Sequence, residues 1–422
     1  MMDRIVKNMP LYGVIPAIAS KSQAHRALIC AAFADGVSKI IINAASKDID
    51  ATANCLCALG ARISQNGAIW EVTPIKNKSI EKPLLACGES GSTFRFLLPV
   101  AAAAFENISF CGEGRLPERP IGPLMDEMKK HGSVFSAEKL PFSVSKLQNG
   151  GDFYLPGNVS SQFASGLLMA APLLPDGVQI HFDKTRESMG YIEMTVHMLK
   201  NFGVVVEKTE DGFSVAKGQH YHAVPELMVE GDWSNAAFWL CGAAIAGEVT
   251  VTGLALDSAQ GDRAVLNVLR EMGAEIITDG NSVTVKKSKL RATVIDAREI
   301  PDLVPVLSLT AALAEGETKV INAARLRIKE SDRLKTTTEL LSGLGADITE
   351  LEDGLIIRGK DMLFGGEADG ANDHRIVMTA AIAASRSENP VLIKGTEAAA
   401  KSYPAFFEDL EKTGGHSDVV LR

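Results

Sequence analysis

The sequence predicts an α/β protein of two domains, built from six repeats of about 70 residues with three repeats in each domain. One observation is a glycine that closes a helical pattern and precedes a Val-, Ile- or Ala-rich run. It recurs every 69 to 72 residues, at Gly60, Gly132, Gly203, Gly273, Gly345 and Gly414. The other is a series of Ala-rich, nearly all-apolar segments in step with the first, which end at Gly36, Asn107, Gly177, Gly247, Gly316 and Asn389.

Each element of the repeat has a physical reason. A glycine at the C′ position adopts the left-handed backbone that ends a helix, and the run after it reads as a strand. Several of these strands then meet a hairpin signal: Asn66-Gly67, Asp211-Gly212, Asp279-Gly280 and Asp353-Gly354. A helix that is apolar all round is buried, so each repeat should hold one interior helix, one amphipathic outer helix and a small sheet, in the order βαβαββ.

Polar residues precede every apolar helix, and capping explains the Ser, Asp and Asn among them. Capping does not explain the cations Lys21, Arg26, Arg95 and Arg375 near the positive ends of helices. If the three interior helices of each domain run the same way, their N-termini can face one another across a cleft. Such a cleft would bind polyanionic small molecules. The chain has neither a Walker loop nor a GxGxxG motif, which argues against a nucleotide cofactor.

The composition is that of an ordinary globular protein, with 46% hydrophobic and 23% charged residues, and its net charge of −9 argues against a general nucleic-acid binder. The start of the chain lacks the apolar core of a signal peptide, and the longest apolar run, 96–105, contains Pro99. We therefore expect a soluble, cytoplasmic protein that does not act at a membrane. The six cysteines form no CxxC pair and are expected to be reduced and buried, without a disulfide framework or a zinc site.

The most charged stretch is 325–334, which holds six charged groups in ten residues. It places Lys329 and Glu330 on a loop that enters a helix ending at Gly345. Taken alone, this stretch is best explained as a salt-bridged helix start.

Ten motifs in order give the chain a specific resemblance over residues 16–407. They are SKSQAHR (20–26), ESGSTFR (89–95), RLPERPI (115–121), SSQFASGLLMAAP (160–172), ESMGYI (187–192), EGDWSNA (230–236), IPD (300–302), RIKESDRL (327–334), DHR (373–375) and KSYP (401–404). The chain resembles the 5-enolpyruvylshikimate-3-phosphate (EPSP) synthase family, the 3-phosphoshikimate 1-carboxyvinyltransferases.

The resemblance implies an inside-out α/β barrel in each of two domains, residues 1–18 plus 230–422 and residues 19–229, with the active site in the cleft between them. It also implies a transferase of the shikimate pathway, which leads to chorismate and the aromatic amino acids. The enolpyruvyl group of phosphoenolpyruvate passes to the 5-hydroxyl of shikimate 3-phosphate, and phosphate is released. No metal or cofactor is implied, and a monomer is expected.

The same resemblance implies roles for three catalytic residues. Asp302 matches the carboxylate base, although a helix N-cap after Pro301 would explain it equally well. Glu330 matches the acid that exchanges a proton with C3 of phosphoenolpyruvate, and its alternative is an ion pair with Lys329. Lys21 matches a ligand of both substrates and a second candidate for the proton donor, and the sequence does not decide between Lys21 and Glu330.

Binding residues follow by the same carry-over. Shikimate 3-phosphate is expected to contact Lys21, Ser22, Arg26, Ser160, Ser161, Gln162, Ser188, Tyr191, Asp302 and Lys329. Phosphoenolpyruvate is expected to contact Lys21, Gly91, Arg119, Gln162, Arg333, Arg375 and Lys401. Alone, each hydroxyl could be an N-cap and each exposed cation a solvated charge. Asp332 is expected to be a structural cap.

Four residues depart from the family pattern: Glu89, Ser92 and Phe96 replace the usual Asn, Thr and Pro, and Arg325 replaces Asn. They leave the response to glyphosate-like inhibitors and one shikimate contact open. Two other functions compete with the main one. A UDP-N-acetylglucosamine enolpyruvyl transferase would need Lys-Asn at 21–22 and a Cys five residues before Arg119, where Gly114 stands. A non-catalytic repeat protein that binds phosphate esters would not need Asp302 and Glu330.

Overall fold

The computed structural model describes residues 2–77, 82–183 and 187–420. The chain divides into two compact units. The discontinuous unit consists of Met1–Ile18 and Glu230–Arg422, and the continuous unit consists of Ala19–Val229.

Helices alternate between two kinds along the chain. In order they are α1 (Lys21–Ala32), α2 (Lys47–Ala58), α3 (Gly91–Ala104), α4 (Gly122–Lys130), α5 (Ser161–Ala170), α6 (Met189–Asn201), α7 (Trp233–Ala246), α8 (Val265–Glu271), α9 (Val304–Ala311), α10 (Arg333–Gly343), α11 (His374–Ala384) and α12 (Phe406–Lys412). Short 3₁₀ helices cover Leu116–Glu118, Ala171–Leu173, Gly261–Ala264, Pro301–Leu303, Ala324–Ile328 and Thr396–Lys401.

Strands fill the spaces between the helices. They are β1 (Asp3–Val6), β2 (Leu11–Pro16), β3 (Ser38–Ile41), β4 (Arg62–Asn66), β5 (Ile69–Thr73), β6 (Leu84–Ala86), β7 (Asn107–Cys111), β8 (Phe142–Ser145), β9 (Gly151–Leu155), β10 (Val178–Phe182), β11 (Glu207–Lys208), β12 (Gly212–Val215), β13 (Leu227–Met228), β14 (Gly247–Thr252), β15 (Glu275–Asp279), β16 (Ser282–Lys286), β17 (Val294–Asp296), β18 (Glu317–Ile321), β19 (Asp347–Leu351), β20 (Gly354–Arg358), β21 (Gly366–Asp369), β22 (Val391–Lys394) and β23 (Ser417–Val420).

The odd-numbered helices are interior and the even-numbered helices are amphipathic. Every residue of α9 and α11 is buried, and in α7 only Ser234 is not. In the discontinuous unit α7, α9 and α11 all contact one another, and in the continuous unit α3 packs on both α1 and α5. The predicted series of buried helices is therefore confirmed, with three in each unit.

Each repeat contributes one small sheet, and the described residues form six of them, in the orders β13-β3-β5-β4, β6-β7-β8, β11-β12-β10-β9, β15-β16-β14-β2, β17-β18-β20-β19 and β21-β22-β1-β23. In every sheet one parallel pair is followed by antiparallel neighbours. The predicted fold, six βαβαββ repeats in an inside-out α/β arrangement, is confirmed.

The glycines that set the period all have the predicted backbone. Their φ angles are positive, between +79° and +100°, at Gly60, Gly132, Gly203, Gly273, Gly345 and Gly414. Each therefore ends a helix in the left-handed conformation that a side chain would strain.

The hairpins are present, but all four predicted turns are wrong by one residue. Asn66 pairs with Ile69 and Asp279 pairs with Ser282, so these two turns consist of Gly67-Ala68 and Gly280-Asn281. Leu351 pairs with Gly354, so the turn consists of Glu352 and Asp353, and Gly354 already belongs to β20. A Cβ on Gly354 would lie 2.0 Å from the Val320 carbonyl oxygen. Gly212 likewise begins β12, where a Cβ would lie 1.8 Å from the Ile180 carbonyl oxygen. These two glycines are required by close strand contact and not by turn geometry.

Among the described residues no helix is long and apolar enough to cross a membrane. All six cysteines are free thiols, and Cys30, Cys55, Cys87 and Cys241 are buried. Cys57 is exposed, which corrects the expectation of burial for that residue because it lies on the outer face of α2.

Candidate active site

Interior helix N-termini hold the polar segments, as the sequence predicted. Side chains of Ser90, Ser160, Asp232 and Asp373 cap α3, α5, α7 and α11 by accepting backbone N–H groups. Ser20 makes no such side-chain bond at the start of α1, where Lys21 is the first helical residue. In the discontinuous unit these N-termini collect carboxylates and cations, and in the continuous unit they collect mainly hydroxyls and amides.

Asp302 lies at the centre of the charged cluster in the discontinuous unit. Its Oδ1 is 2.8 Å from Arg333 Nη1 and 3.4 Å from Lys329 Nζ, and its Oδ2 is 3.1 Å from Arg375 Nη2. Asp302 lies within the 3₁₀ helix Pro301–Leu303, whose N-cap residue is Ile300, so the carboxylate does not cap the helix. The alternative role as an N-cap is therefore wrong, and the carboxylate is committed to three cations.

Arg333 connects Asp302 to the neighbouring acids, and its side chain is only 1% exposed. Its Nη2 donates to Glu330 Oε2 at 2.7 Å, and its Nε donates to Asp373 Oδ2 at 2.8 Å. Asp373 also accepts from Ser331 Oγ at 2.9 Å. A planar guanidinium suits this task because its donors point in fixed directions. Glu330 thus pairs with Arg333, a partner that its alternative role did not name.

The electrostatics of the cluster favour full ionisation. Burial alone would raise the pKa of Asp302, but Arg375, Lys329 and Arg333 outweigh it and hold that pKa well below its ordinary range. Burial lowers the pKa of Lys329, and Asp302 opposes this effect. For Asp373, burial opposes ionisation, yet Arg333 keeps the pKa below the usual value. The carboxylate of Asp302 is therefore a stored negative charge at neutral pH.

The charged stretch 325–334 divides into separate parts. Arg327 pairs with Asp332 at 3.0 Å and Glu350 at 2.7 Å, and Asp332 accepts the N–H of Lys335 at 3.2 Å as the N-cap of α10. The predicted capping role of Asp332 is confirmed. Arg325 donates from Nη2 to the carbonyl of Arg298 at 2.8 Å.

Lys401 lies beside the same helix end as Arg375. Its Nζ donates to the carbonyl of Asn372 at 2.6 Å, next to the cap of α11, and the residue is 6% exposed. Lys401 and Arg375 thus occupy one small region of the discontinuous unit.

In the continuous unit, Lys21 pairs with an acid that the sequence analysis missed. Lys21 Nζ lies 2.7 Å from Asp48 Oδ2, and both side chains are 14% exposed. The backbone carbonyl of Asp48 accepts a bond from Thr93 Oγ1 at 3.3 Å, which fixes this acid against the start of α3. Burial, together with Lys21 and Arg26, lowers the pKa of the nearby His25 well below 6.5, so His25 stays neutral.

Arg26 is buried among hydroxyl and carbonyl oxygens. Its Nε donates to Thr195 Oγ1 at 2.7 Å, and its Nη2 donates to the Tyr191 carbonyl at 2.9 Å. The guanidinium also lies 4.6 Å above the Phe96 ring. Burial lowers the pKa of Arg26 to about 9, which still leaves it charged at neutral pH.

The guanidinium of Arg119 lies close to the N-terminus of α3, against Gly91, the first residue of that helix. A Cβ on Gly91 would lie 2.6 Å from Arg119 Nη1. One helix further, Gln162 at the start of α5 accepts from Arg95 Nη1 and donates to Ser92 Oγ, both at 2.9 Å. These contacts join the N-termini of α3 and α5 into one polar surface.

The remaining predicted ligands lie at the N-termini of α1, α5 and α6. Ser160 is the cap of α5 and accepts the N–H of Gln162 at 3.3 Å, while Ser161 is the first residue of that helix. Ser188 precedes α6 with a left-handed backbone, φ +55°, and is 2% exposed. Ser22 and Tyr191 contribute backbone carbonyls to Arg26.

With this geometry in view, the comparisons with known proteins identify the family. The family model described as EPSP synthase (3-phosphoshikimate 1-carboxyvinyltransferase) matches residues 5–410. This chain belongs to the EPSP synthase family.

Relatives and solved structures agree with that membership. The chain is similar to a 3-phosphoshikimate 1-carboxyvinyltransferase of Clostridium kluyveri, with 42% identity over 97% of this chain and 96% of the relative. It is also similar to one of Clostridium acetobutylicum, with 44% identity over 96% of each. Its fold is similar to EPSP synthase from Acinetobacter baumannii, with a TM-score of 0.83, 26% identity and full coverage of both chains.

Relative to the EPSP synthase pattern, the structure gives three of the departing residues local tasks. Ser92 accepts from Gln162, and Phe96 supports the guanidinium of Arg26. The Glu89 carboxylate packs against Gly114, where a Cβ would lie 2.5 Å from Oε2.

Sequence reasoning missed three acids that this EPSP synthase family member places beside the cations: Asp48, Asp373 as a partner of Arg333, and Asp262. Burial and the neighbouring Asp302 raise the pKa of Asp262 to about 6. Asp373 carried a signal in the DHR motif, which was interpreted as a cap alone. For Asp48 and Asp262 the sequence offered only single acids on polar segments, and their pairing depends on tertiary structure.

Proposed function

We propose that this protein transfers the enolpyruvyl group of phosphoenolpyruvate to the 5-hydroxyl of shikimate 3-phosphate. The hydroxyl oxygen adds to C2 of phosphoenolpyruvate while C3 gains a proton, which gives a tetrahedral ketal. The ketal then loses a proton from the C3 methyl group, and its C2–O bond to phosphate breaks. The products are 5-enolpyruvylshikimate 3-phosphate and inorganic phosphate.

The observation that carries this proposal is the carboxylate of Asp302, which is 21% exposed and lies between three cations. Asp302 is the base that takes the proton of the 5-hydroxyl, because it is ionised at neutral pH. Its pKa is low while Lys329, Arg333 and Arg375 face it. When substrate anions bind to these cations, their effect on Asp302 weakens and its basicity rises. Substrate binding thereby makes the Asp302 carboxylate a stronger base.

Glu330 is the group that exchanges a proton with C3 of phosphoenolpyruvate. Its carboxylate is 2.7 Å from Arg333, which contacts Asp302 at the same time. One guanidinium therefore fixes the spacing of the two carboxylates. Lys21 is the second candidate donor, and its ammonium is held at 2.7 Å by Asp48.

Substrate anions are assigned to the two groups of residues as follows. Phosphoenolpyruvate is bound by Lys21, Gly91, Arg119, Gln162, Arg333, Arg375 and Lys401. Shikimate 3-phosphate is bound by Lys21, Ser22, Arg26, Ser160, Ser161, Gln162, Ser188, Tyr191, Asp302 and Lys329. Helix N-termini supply unpaired N–H groups and a positive dipole end for phosphate, and arginine supplies a planar fork for carboxylate. We place the protein in the cytoplasm as a monomer, and size-exclusion chromatography with light scattering tests the latter.

The deciding experiment is a phosphate-release assay with phosphoenolpyruvate and purified protein. We expect turnover only when shikimate 3-phosphate is added, and none with UDP-N-acetylglucosamine. Turnover with UDP-N-acetylglucosamine alone would assign the chain to the sister reaction. Tight binding of shikimate 3-phosphate without any turnover would favour the non-catalytic phosphate-ester protein.

A further inference from the structure

A cluster of two histidines and one aspartate lies on the surface of the continuous unit, away from the residues discussed above. Asp35, His220 and His222 each offer one ligand atom, and these atoms all lie within 4.8 Å of one another. All three residues are exposed. Within the described residues no other group of three or more His, Cys, Asp or Glu residues has this geometry. We propose that Asp35, His220 and His222 form a binding site for a divalent transition-metal ion of the zinc type.

The chemistry of the three side chains suits such an ion. Two imidazoles and one carboxylate are favourable ligands for Zn²⁺, whereas Mg²⁺ and Ca²⁺ prefer oxygen ligands alone. His222 Nδ1 and Asp35 Oδ2 are 2.9 Å apart. Ligands of a tetrahedral zinc ion at about 2.0–2.2 Å lie about 3.3 Å from one another. A metal ion would therefore replace the proton that these two atoms share, with only a small movement of the side chains.

The backbone holds the two imidazoles on the same side of their segment. Tyr221, between them, is 2% exposed, and its hydroxyl donates to the Met169 carbonyl at 2.6 Å. His220 and His222 are exposed on either side of the buried Tyr221, so both rings face solvent. Their rings touch edge to face, with centroids 4.4 Å apart.

Asp35 is fixed against the same segment by two backbone contacts. Its N–H donates to the Tyr221 carbonyl at 3.1 Å, and its Oδ1 accepts the N–H of Ala223 at 2.7 Å. One carboxylate oxygen is thus occupied by the backbone, and Oδ2 faces the imidazoles.

The position of the His222 ring depends on a glycine. A Cβ on Gly203 would lie 2.4 Å from His222 Cδ2, so the ring packs where only a glycine leaves room. The N–H of His222 donates to the Phe202 carbonyl at 2.9 Å. Within the described part of the chain, the ring of His220 makes no hydrogen bond that would compete for a metal ion. The ligand set is therefore largely preorganised, and preorganisation lowers the free-energy cost of binding.

The site is remote from the catalytic residues of its own unit. Asp35 follows the C-terminal end of α1, and Lys21 is the first residue of that helix. A rise of about 1.5 Å per residue places them roughly 20 Å apart. A metal ion here would join the end of α1 to the segment that leads to β13, and its role would be stabilisation and not catalysis.

Zinc titration of the full, tag-free chain after chelator treatment tests the site. We expect one Zn²⁺ per chain by isothermal titration calorimetry, with micromolar affinity, and a higher midpoint of thermal unfolding. His220→Ala and His222→Ala should each lower the affinity at least about tenfold. Both variants should keep the turnover of the wild type and its unfolding midpoint without metal.

The matched control is His416→Ala, because His416 faces a single aspartate, Asp418, at 3.2 Å, in the discontinuous unit. It should bind zinc as the wild type does. His220→Gln gives a second test at the same position that keeps a polar side chain. Absence of micromolar zinc binding in the wild type, or wild-type affinity in both alanine variants, would overturn the proposal.

Discussion

The two units are built from the same repeat, but they surround a buried arginine with different groups at the helix N-termini. At the helix N-termini of the discontinuous unit, Arg333 is 1% exposed and contacts Asp302, Glu330 and Asp373. At those of the continuous unit, Arg26 is also 1% exposed, yet it donates its hydrogen bonds to hydroxyl and carbonyl oxygens. One arginine lies among ionised carboxylates and the other among neutral dipoles.

This difference shows how one scaffold divides a reaction. Ionised carboxylates can accept and return protons, whereas neutral dipoles can only hold an anion and shape its pocket. The pKa of Arg26 falls to about 9 because burial is not offset by a carboxylate, while the pKa of Arg333 is raised, since Asp373, Glu330 and Asp302 outweigh burial. The surroundings of Arg333 are therefore suited to proton transfer, and those of Arg26 to holding an anion.

The largest effect should come from removing the base. Asp302→Asn should lower kcat about 100- to 10,000-fold, because the 5-hydroxyl loses its proton acceptor. The KM for phosphoenolpyruvate should change far less. Steady-state phosphate release measures both constants, and Asp361→Asn, at an exposed aspartate of the same unit, is the matched control. Near-normal kcat in Asp302→Asn would remove Asp302 from the mechanism.

The next effect compares buried ion pairs in the two units. Asp373→Asn should destabilise the discontinuous unit by about 3 kcal/mol, because Arg333 would remain buried with a charge less well compensated. Asp48→Asn should cost about 1 kcal/mol, since Lys21 is partly exposed to water. Urea denaturation measures both. Equal losses of unfolding free energy in the two variants would show that the difference in burial does not set the cost of breaking each ion pair.

A smaller effect is expected at the glycine beside Arg119. Gly91→Ala should raise the KM for phosphoenolpyruvate about tenfold, equivalent to about 1.4 kcal/mol, because the new Cβ displaces the guanidinium. Gly122→Ala, at the start of α4, is the control, since no atom lies within 4 Å of its Cβ position. Similar KM values for phosphoenolpyruvate in Gly91→Ala and Gly122→Ala would show that the contact between Arg119 and Gly91 does not contribute to binding.

The pH dependence of the reaction tests how substrates change Asp302. In the free protein its pKa is well below 3.8, so the acid limb of kcat/KM should not arise from Asp302 above that pH. Bound substrate anions should raise this pKa. In the pH profile of kcat, the acid limb that belongs to Asp302 should then lie about one pH unit or more higher. An Asp302 limb at the same pH in both profiles would contradict the proposed role of Lys329 and Arg375.

The smallest effect is a pH-dependent contribution to the stability of the continuous unit. His181 lies 2.9 Å from Asp152 and 2.6 Å from Asp211, and these contacts raise its pKa above 6.5. The stabilisation is fully present below pH 6.5 and is lost as the pH rises through the folded value. Because both aspartates are half exposed, it should be about 1 kcal/mol or less. His181→Gln should flatten the pH dependence of urea unfolding, and His416→Gln should not.

The sequence predicted the architecture well because the fold repeats a local pattern. The conformation of a C′ glycine and the burial of an apolar helix depend on residues nearby in sequence. The 70-residue period therefore identified six interior helices and the six glycines that end the outer helices. The turn at Asp353-Gly354 was misplaced because close contact with Val320 also demands a glycine, and that contact comes from a distant strand. The sequence predicted which residues belong to the charged cluster, but not which of them form ion pairs with one another. Glu330 pairs with Arg333, the first residue of α10, which the sequence reasoning did not name as its partner.

The sheet β21-β22-β1-β23 has a consequence for how the protein folds. Arg4, in β1, donates to Ser417, in β23, across a sequence separation of 413 residues. Such a contact must close nearly the whole chain into a loop, which costs conformational entropy before any pairing is gained. The continuous unit needs no contact from outside Ala19–Val229 to complete its three sheets. During synthesis, the binding residues of the continuous unit are therefore in place before Asp302 and its cations are assembled.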